Sequence, residues 1–169
     1  VSEWQESRHI QERIQSALWN VQTELENNLE ILEFVHSNNV TLIEQLAEDA
    51  NAVEQDSQFL PALQITESAW QTLGTTGLSG YVDFDLIVTL SETYSMVDVY
   101  RRTGYGLVDA NLSMLATATA TGRSMKDIDS ADLFAKNFAS HFQLIVDIES
   151  ALIVAHQGAL AALDTRAKE

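Results

Sequence analysis

The stretch LWNVQTELENNLEILEFV, Leu18 to Val35, decides the fold. Leu18, Leu25 and Leu32 recur every seven residues, and Val21 and Val35 belong to a companion series running from Ile14 to Leu42. Apolar residues alternately three and four apart line one side of an α-helix, so this stretch reads as a helix packed lengthwise on others. Trp4 extends the first series toward the N-terminus, and Leu46 and Val53 carry the pattern onward. Asn28 and Asn39 interrupt the seam, and His36-Ser37-Asn38-Asn39 is a candidate kink. The phase survives both interruptions, which predicts one long helix over roughly residues 2–55 with a soft middle.

The pattern then breaks. Pro61 lacks an N–H and restricts Leu60, so it ends or redirects the chain. A short helix is predicted from Thr66, containing Trp70 and closed by Gly74, with residues 75–80 as a loop. Asp83 is placed to cap the next helix. That helix carries Ile87, Leu90, Tyr94, Val97, Val108 and Leu115 on an inward stripe that also takes in Arg101 and Gly104. Glycine weakens a helix but permits close approach of a neighbour, so a bend near Gly104 and Gly106 is expected. Asp129-Ser130 reads as the cap of a last helix through about residue 166. Its predicted stripe begins at Phe134 and Phe138, then takes in His141, Ile145, Ile148, Leu152, Ala155, Ala159 and Ala162. The expected fold is therefore all-α: a single domain over residues 1–169, an up-down bundle of three long helices with a short helix in the crossover segment.

Composition narrows the function. The chain has 25 acids against 9 bases, a net charge of −16, and no Lys or Arg between Arg13 and Arg101. Such a surface repels phosphate backbones, which excludes nucleic acid as a partner. Cysteine is absent, so thiolate metal sites, iron–sulfur clusters and disulfides cannot be built. No run of about 18 apolar residues occurs, so nothing in the sequence is expected to span a bilayer.

The chemistry-bearing residues are few. Glu33 and His36 have the Glu-x-x-His spacing of a di-iron bundle, but the second such motif is missing: Phe138 and Ile153 stand three before His141 and His156. Neither a metal site nor a cofactor is expected. Asp127-Ile128-Asp129-Ser130-Ala131-Asp132 lacks the glycine and terminal glutamate of a calcium loop. Gly104-Tyr105-Gly106 is too short for a dinucleotide loop, and no serine lies in a nucleophile-elbow pattern. Catalytic residues are not expected. One constellation stands out: the basic pair Arg101-Arg102, flanked by Tyr94 and Tyr105. Arg101 on an inward stripe is read either as half of a buried ion pair with a glutamate of the first helix, or as an anion holder between helices, with Tyr94 and Trp70 as aromatic partners.

The opening Glu3-Trp4-Gln5-Glu6-Ser7-Arg8, running into a long acidic helix, resembles a family of bacterial single-pass membrane proteins of uncharacterised function. The similarity extends through Ala69-Trp70-Gln71-Thr72, Gly77, Asp83-Phe84-Asp85-Leu86 and Leu90-Ser91-Glu92-Thr93-Tyr94, where Thr72 and Phe84 stand in for the family's usual Ala and Tyr. It covers roughly residues 3–110. The resemblance implies an extracytoplasmic domain on the periplasmic face of the inner membrane, tethered by a helix upstream of Val1, with an envelope protein as partner. It supplies no catalytic residues. A module for interaction, scaffolding or sensing is the expected function, with a small anionic or aromatic ligand near Arg101 as the alternative. A heptad seam is satisfied within one bundle or between chains, so the sequence leaves the oligomeric state open.

Overall fold

A computed structural model of the chain describes residues 3–48, 64–121 and 131–166. They form three long α-helices, α1 (Glu3–Glu48), α3 (Phe84–Thr121) and α4 (Ala131–Arg166), with a short α2 (Ser68–Thr75) and a 3-10 turn at Leu78–Tyr81. No strand occurs among the described residues. α1 is helical through His36–Asn39, so the expected kink leaves the helix unbroken. The Asp129-Ser130 cap, Pro61, and the side chains of Phe134 and Phe138 lie outside the described set.

Each long helix buries a seam with three-and-four spacing. In α1 it is Val21, Leu25, Asn28, Leu32, Val35, Asn39 and Leu42; in α3 it is Leu86, Leu90, Thr93, Val97, Tyr100 and Leu107. Gly104, also buried, fills the α3 seam position between Tyr100 and Leu107. In α4 the seam is Phe142, Ile145, Glu149, Leu152, His156, Ala159 and Leu163. The heptad reading is sound, but several of its assignments shift. The α4 stripe takes Glu149 and His156 in place of Ile148 and Ala155, and His141 is exposed. Trp4, on the extrapolated α1 series, is 69% exposed because no side chain of the described α1 residues before Val21 is buried. Helical phase continues past the point where α1 buries its side chains.

The chain divides into two compact units, each drawing a segment from every long helix. Unit 1 comprises Val1–Glu33, Gln64–Val97 and Leu152–Glu169; unit 2 comprises Phe34–Leu63 and Asp98–Ala151. In unit 1, Asp83 caps α3 as predicted. Its Oδ1 accepts the backbone N–H groups of Asp85 (3.0 Å) and Leu86 (3.2 Å), and Arg166 at the end of α4 donates to the same oxygen at 2.7 Å. The Arg166 hydrogen bond holds the Asp83 carboxyl below its ordinary range. The expected loop over 75–80 tightens into the 3-10 turn, and Gly77 enters it at φ 71°, a conformation that favours glycine.

In unit 2, a Cβ at Gly104 meets no atom within 4 Å among the described residues, so no close neighbour demands a glycine there. No close approach to Gly104 occurs among the described residues. Gly104→Ala is therefore predicted to stabilise the protein by about 1 kcal/mol, the helix-propensity difference, read from urea denaturation.

One segment, Ser140–Arg166, is long and apolar enough to cross a membrane by length and composition. The sequence reading passed over it because Gln143, Asp147, Glu149, Ser150 and His156 interrupt its apolar runs. A helix buried in a protein core meets the same test, and Phe142, Ile145, Val146, Leu152, Ala159 and Leu163 of this segment are core residues here.

Candidate functional site

The aromatic half of the predicted constellation comes together in unit 1. Trp70 at the start of α2 and Tyr94 of α3 stack with ring centroids 5.3 Å apart and planes 3° from parallel. Between them and α1 lies a residue the sequence reading did not single out. Glu24 is buried beside the seam residue Leu25, and four donors converge on its carboxylate. Ser68 Oγ (3.0 Å) and the Ala69 N–H (2.9 Å) donate to Oε2, while the Tyr94 hydroxyl (2.8 Å) and the Trp70 N–H (3.3 Å) donate to Oε1. The first turn of any helix leaves its N–H groups without partners, and a carboxylate complements the positive end of the helix dipole. Glu67, at the N-cap position of α2, makes no capping bond, so Glu24 supplies the cap from another helix. Burial, then the hydrogen bond to Glu24, push the Tyr94 hydroxyl pKa far up, which keeps it a donor.

One turn along α1, Asn28 holds the backbone leading into α2. Its Oδ1 accepts the Thr66 N–H at 2.9 Å, and its Nδ2 donates to the Thr66 carbonyl at 2.8 Å. The seam interruption at Asn28 is thus a bidentate clamp. Glu24, Asn28, Trp70 and Tyr94 together fasten α2 onto the unit. Beside them runs an open cleft of about 340 Å³ lined by Ala17, Asn20, Ser68, Ala69, Thr72 and Thr76. A second open groove, about 420 Å³, lies between Tyr81 and the α1 residues Ile10 and Ile14.

Arg101 belongs to unit 2. It is half-buried and donates to Asp98 one turn earlier at 3.4 Å, while the exposed Arg102 pairs with the other oxygen of Asp98 at 3.7 Å. The buried seam position is its neighbour Tyr100, whose hydroxyl donates to Glu149 Oε1 at 2.8 Å. Asn39 Nδ2 donates to the same oxygen at 2.7 Å. The His36 Nδ1 stands 3.4 Å from Glu149 Oε2, and its Nε2 lies 3.4 Å from Ser150 Oγ. His36 therefore faces Glu149 of α4, while Glu33, its partner in the Glu-x-x-His spacing, is exposed. Among the described residues no group of three His, Asp or Glu side chains is placed to hold a metal ion.

The second buried polar residue of α4 lies in unit 1. His156 Nδ1 meets the Leu152 carbonyl at 2.9 Å, and its Nε2 has no hydrogen-bond partner. Burial pushes this imidazole below its ordinary value of 6.5, an effect opposed by the bond to Leu152. Below that ordinary value the unfolded chain binds a proton the folded chain refuses. His156 thus supports the fold above about pH 6.5, and its contribution falls away as pH drops through the lowered value. Leucine fills a similar volume without an unsatisfied nitrogen. His156→Leu is expected to raise stability by about 1 kcal/mol at neutral pH. It should also reduce the loss on acidification; parallel urea titrations at neutral and mildly acidic pH would show both effects.

In comparisons with family models, curated proteins and solved structures, none matches the chain.

Proposed function

We propose that the chain is a non-catalytic, extracytoplasmic helical module, tethered at the bacterial inner membrane, that works through protein contacts on the outside of unit 1. One observation carries the interaction reading. Glu24, Asn28 and Thr93 inside unit 1 are spent fastening its helices, while large aromatics stand outside: Phe84 is 77% exposed, Trp4 69%, and Trp19 and Tyr81 65% each. Aromatics are the side chains that anchor protein interfaces. The open groove between Tyr81, Ile10 and Ile14 adds a concave apolar element to the same unit. The acidity of the chain favours a protein partner over nucleic acid.

The tether and the periplasmic side rest on the resemblance of residues 3–8 and 69–94 to membrane-anchored proteins. The up-down arrangement of the long helices is part of the same proposal. It is supported within unit 1, where Asp83 at the start of α3 meets Arg166 at the end of α4, and Thr93 further along α3 meets Ala155 earlier in α4. The alternative of a small ligand held by Arg101, Tyr94 and Trp70 gains nothing from the arrangement, because Tyr94 and Trp70 cover each other and the Tyr94 hydroxyl is taken by Glu24.

Fractionation of cells producing the full-length protein, with protease added to intact spheroplasts, tests the location. Membrane association with cleavage from outside is the expected result; a soluble, protected protein would refute the tether. A Trp19→Ser/Tyr81→Ser/Phe84→Ser variant tests the surface. It should keep its helical content and lose its co-purifying envelope partner.

A further inference from the structure

Unit 2 contains a buried carboxylate with one oxygen satisfied and the other facing a histidine. Glu149 is fully buried. Its Oε1 receives two donors, Asn39 Nδ2 from α1 and the Tyr100 hydroxyl from α3. Its Oε2 has no hydrogen-bond donor, and neither has the buried His36 Nδ1 that stands 3.4 Å away. Two buried polar atoms of this kind, side by side, are each costly unless a proton lies between them. The imidazole is not sealed: a quarter of the His36 side chain is exposed, which gives the pair a path to bulk water.

The geometry points to a proton-operated lock in unit 2, in which one proton taken up by the His36–Glu149 pair cancels the buried carboxylate charge and ties α1, α3 and α4 together, and its loss loosens them. On nitrogen the proton makes an imidazolium beside the carboxylate, on oxygen a neutral acid beside the imidazole, and either state leaves the pair without net charge. Without it, the neutral imidazole still turns an Nδ1–H toward Oε2, but the buried carboxylate charge is no longer offset by its partner. The groups that face the pair are Asn39 from α1, Tyr100 from α3 and Ser150 from α4. Among the described residues of these segments, Arg101 and Arg102 pair with Asp98, and Asp147 accepts from Gln143 at an exposed position. Burial pushes the Glu149 carboxyl up, against the opposing hydrogen bonds of Tyr100 and Asn39 and the proximity of His36. A raised folded value means the stabilisation is present in acid and is lost as pH rises through that value.

The lock goes beyond the interaction surface of unit 1 and does not depend on it. Thermal melting of the full chain and of Glu149→Gln, across about pH 5 to about pH 9, isolates it, since the opposing contribution of His156 cancels in the difference. The advantage of wild type over Glu149→Gln should shrink by about 5 °C or more as pH rises across that range. A difference that is flat with pH overturns the proposal. Should Glu149→Gln not fold, selective ¹³C labelling of glutamate in the wild type decides the matter. The Glu149 carboxyl resonance and the His36 ring must titrate in a shared step that His36→Gln abolishes; independent titrations refute the lock.

Discussion

Replacing Glu24 with alanine is expected to cost about 3–4 kcal/mol, a large share of the stability of an ordinary domain. The loss exceeds that of a single hydrogen bond because four donors lose one acceptor. Two of them, the Ala69 and Trp70 N–H groups, belong to a helix start with no other cap. The Tyr94 hydroxyl would be left in a buried site with its partner gone. Glu24→Gln should come close to the alanine variant despite its near-identical shape. A backbone N–H points at each carboxylate oxygen, so an amide NH₂ placed on either side meets a donor that cannot turn round. Urea denaturation of the two variants beside wild type measures both effects. A loss under about 1 kcal/mol in Glu24→Ala would mean that α2 is held by apolar packing and that the carboxylate is incidental.

The second large effect is expected at Asn28. Asn28→Ala removes both halves of the clamp on Thr66 and leaves a small void at a seam position that is fully buried. Because Thr66 is exposed, water can replace the two lost bonds in part, which limits the expected loss to about 2 kcal/mol. Asn28→Leu is the sharper comparison. It restores an apolar heptad residue and should still be destabilising, because the amide is needed for its two hydrogen bonds and not for its bulk. Amide hydrogen exchange over α2 should quicken in either variant before the rest of unit 1 does. A stabilised Asn28→Leu would show that the seam prefers an unbroken apolar stripe and that the clamp is dispensable.

The seams were legible in the sequence at many of their apolar positions, but Phe142, Leu163 and Leu86 were passed over for their neighbours His141, Ala162 and Ile87. Leu25, Leu32, Val35 and Leu42 in α1, Leu90 and Val97 in α3, and Ile145, Leu152 and Ala159 in α4 are all where three-and-four spacing puts them. Reading failed where a polar residue occupies a seam position. In α4, Phe142, Glu149, His156 and Leu163 form a seven-residue series, but two of the four are polar, and hydrophobicity drew the stripe one residue aside to Ile148 and Ala155. In α3 the same pull placed Arg101 inward, whereas the seam steps from Val97 to Tyr100 and on to Gly104. Asn28 and Asn39 were seen as breaks in the α1 seam, though both are buried and both carry bonds between segments distant in sequence.

Such residues cannot be recognised by periodicity alone, because what makes them tolerable inside is a partner from another helix. Glu24 had one indirect signal. The start of α2 offers no Ser, Thr, Asp or Asn immediately before Ser68, so its N–H groups had to be satisfied from elsewhere. For the candidate site, pattern reading identified Trp70 and Tyr94 and missed the carboxylate that makes them a structural pair.

The central functional claim is that unit 1 meets a partner through its exposed aromatics. Site-specific photo-crosslinking in intact cells tests it most directly, with the crosslinker placed in turn at Trp19, Tyr81 and Phe84, and at the exposed polar positions Glu26 and Glu30 as controls. A discrete adduct to one envelope protein from the aromatic positions, and none from the two controls, is the predicted result. Equal labelling from all five positions, or adducts only from the controls, would contradict it.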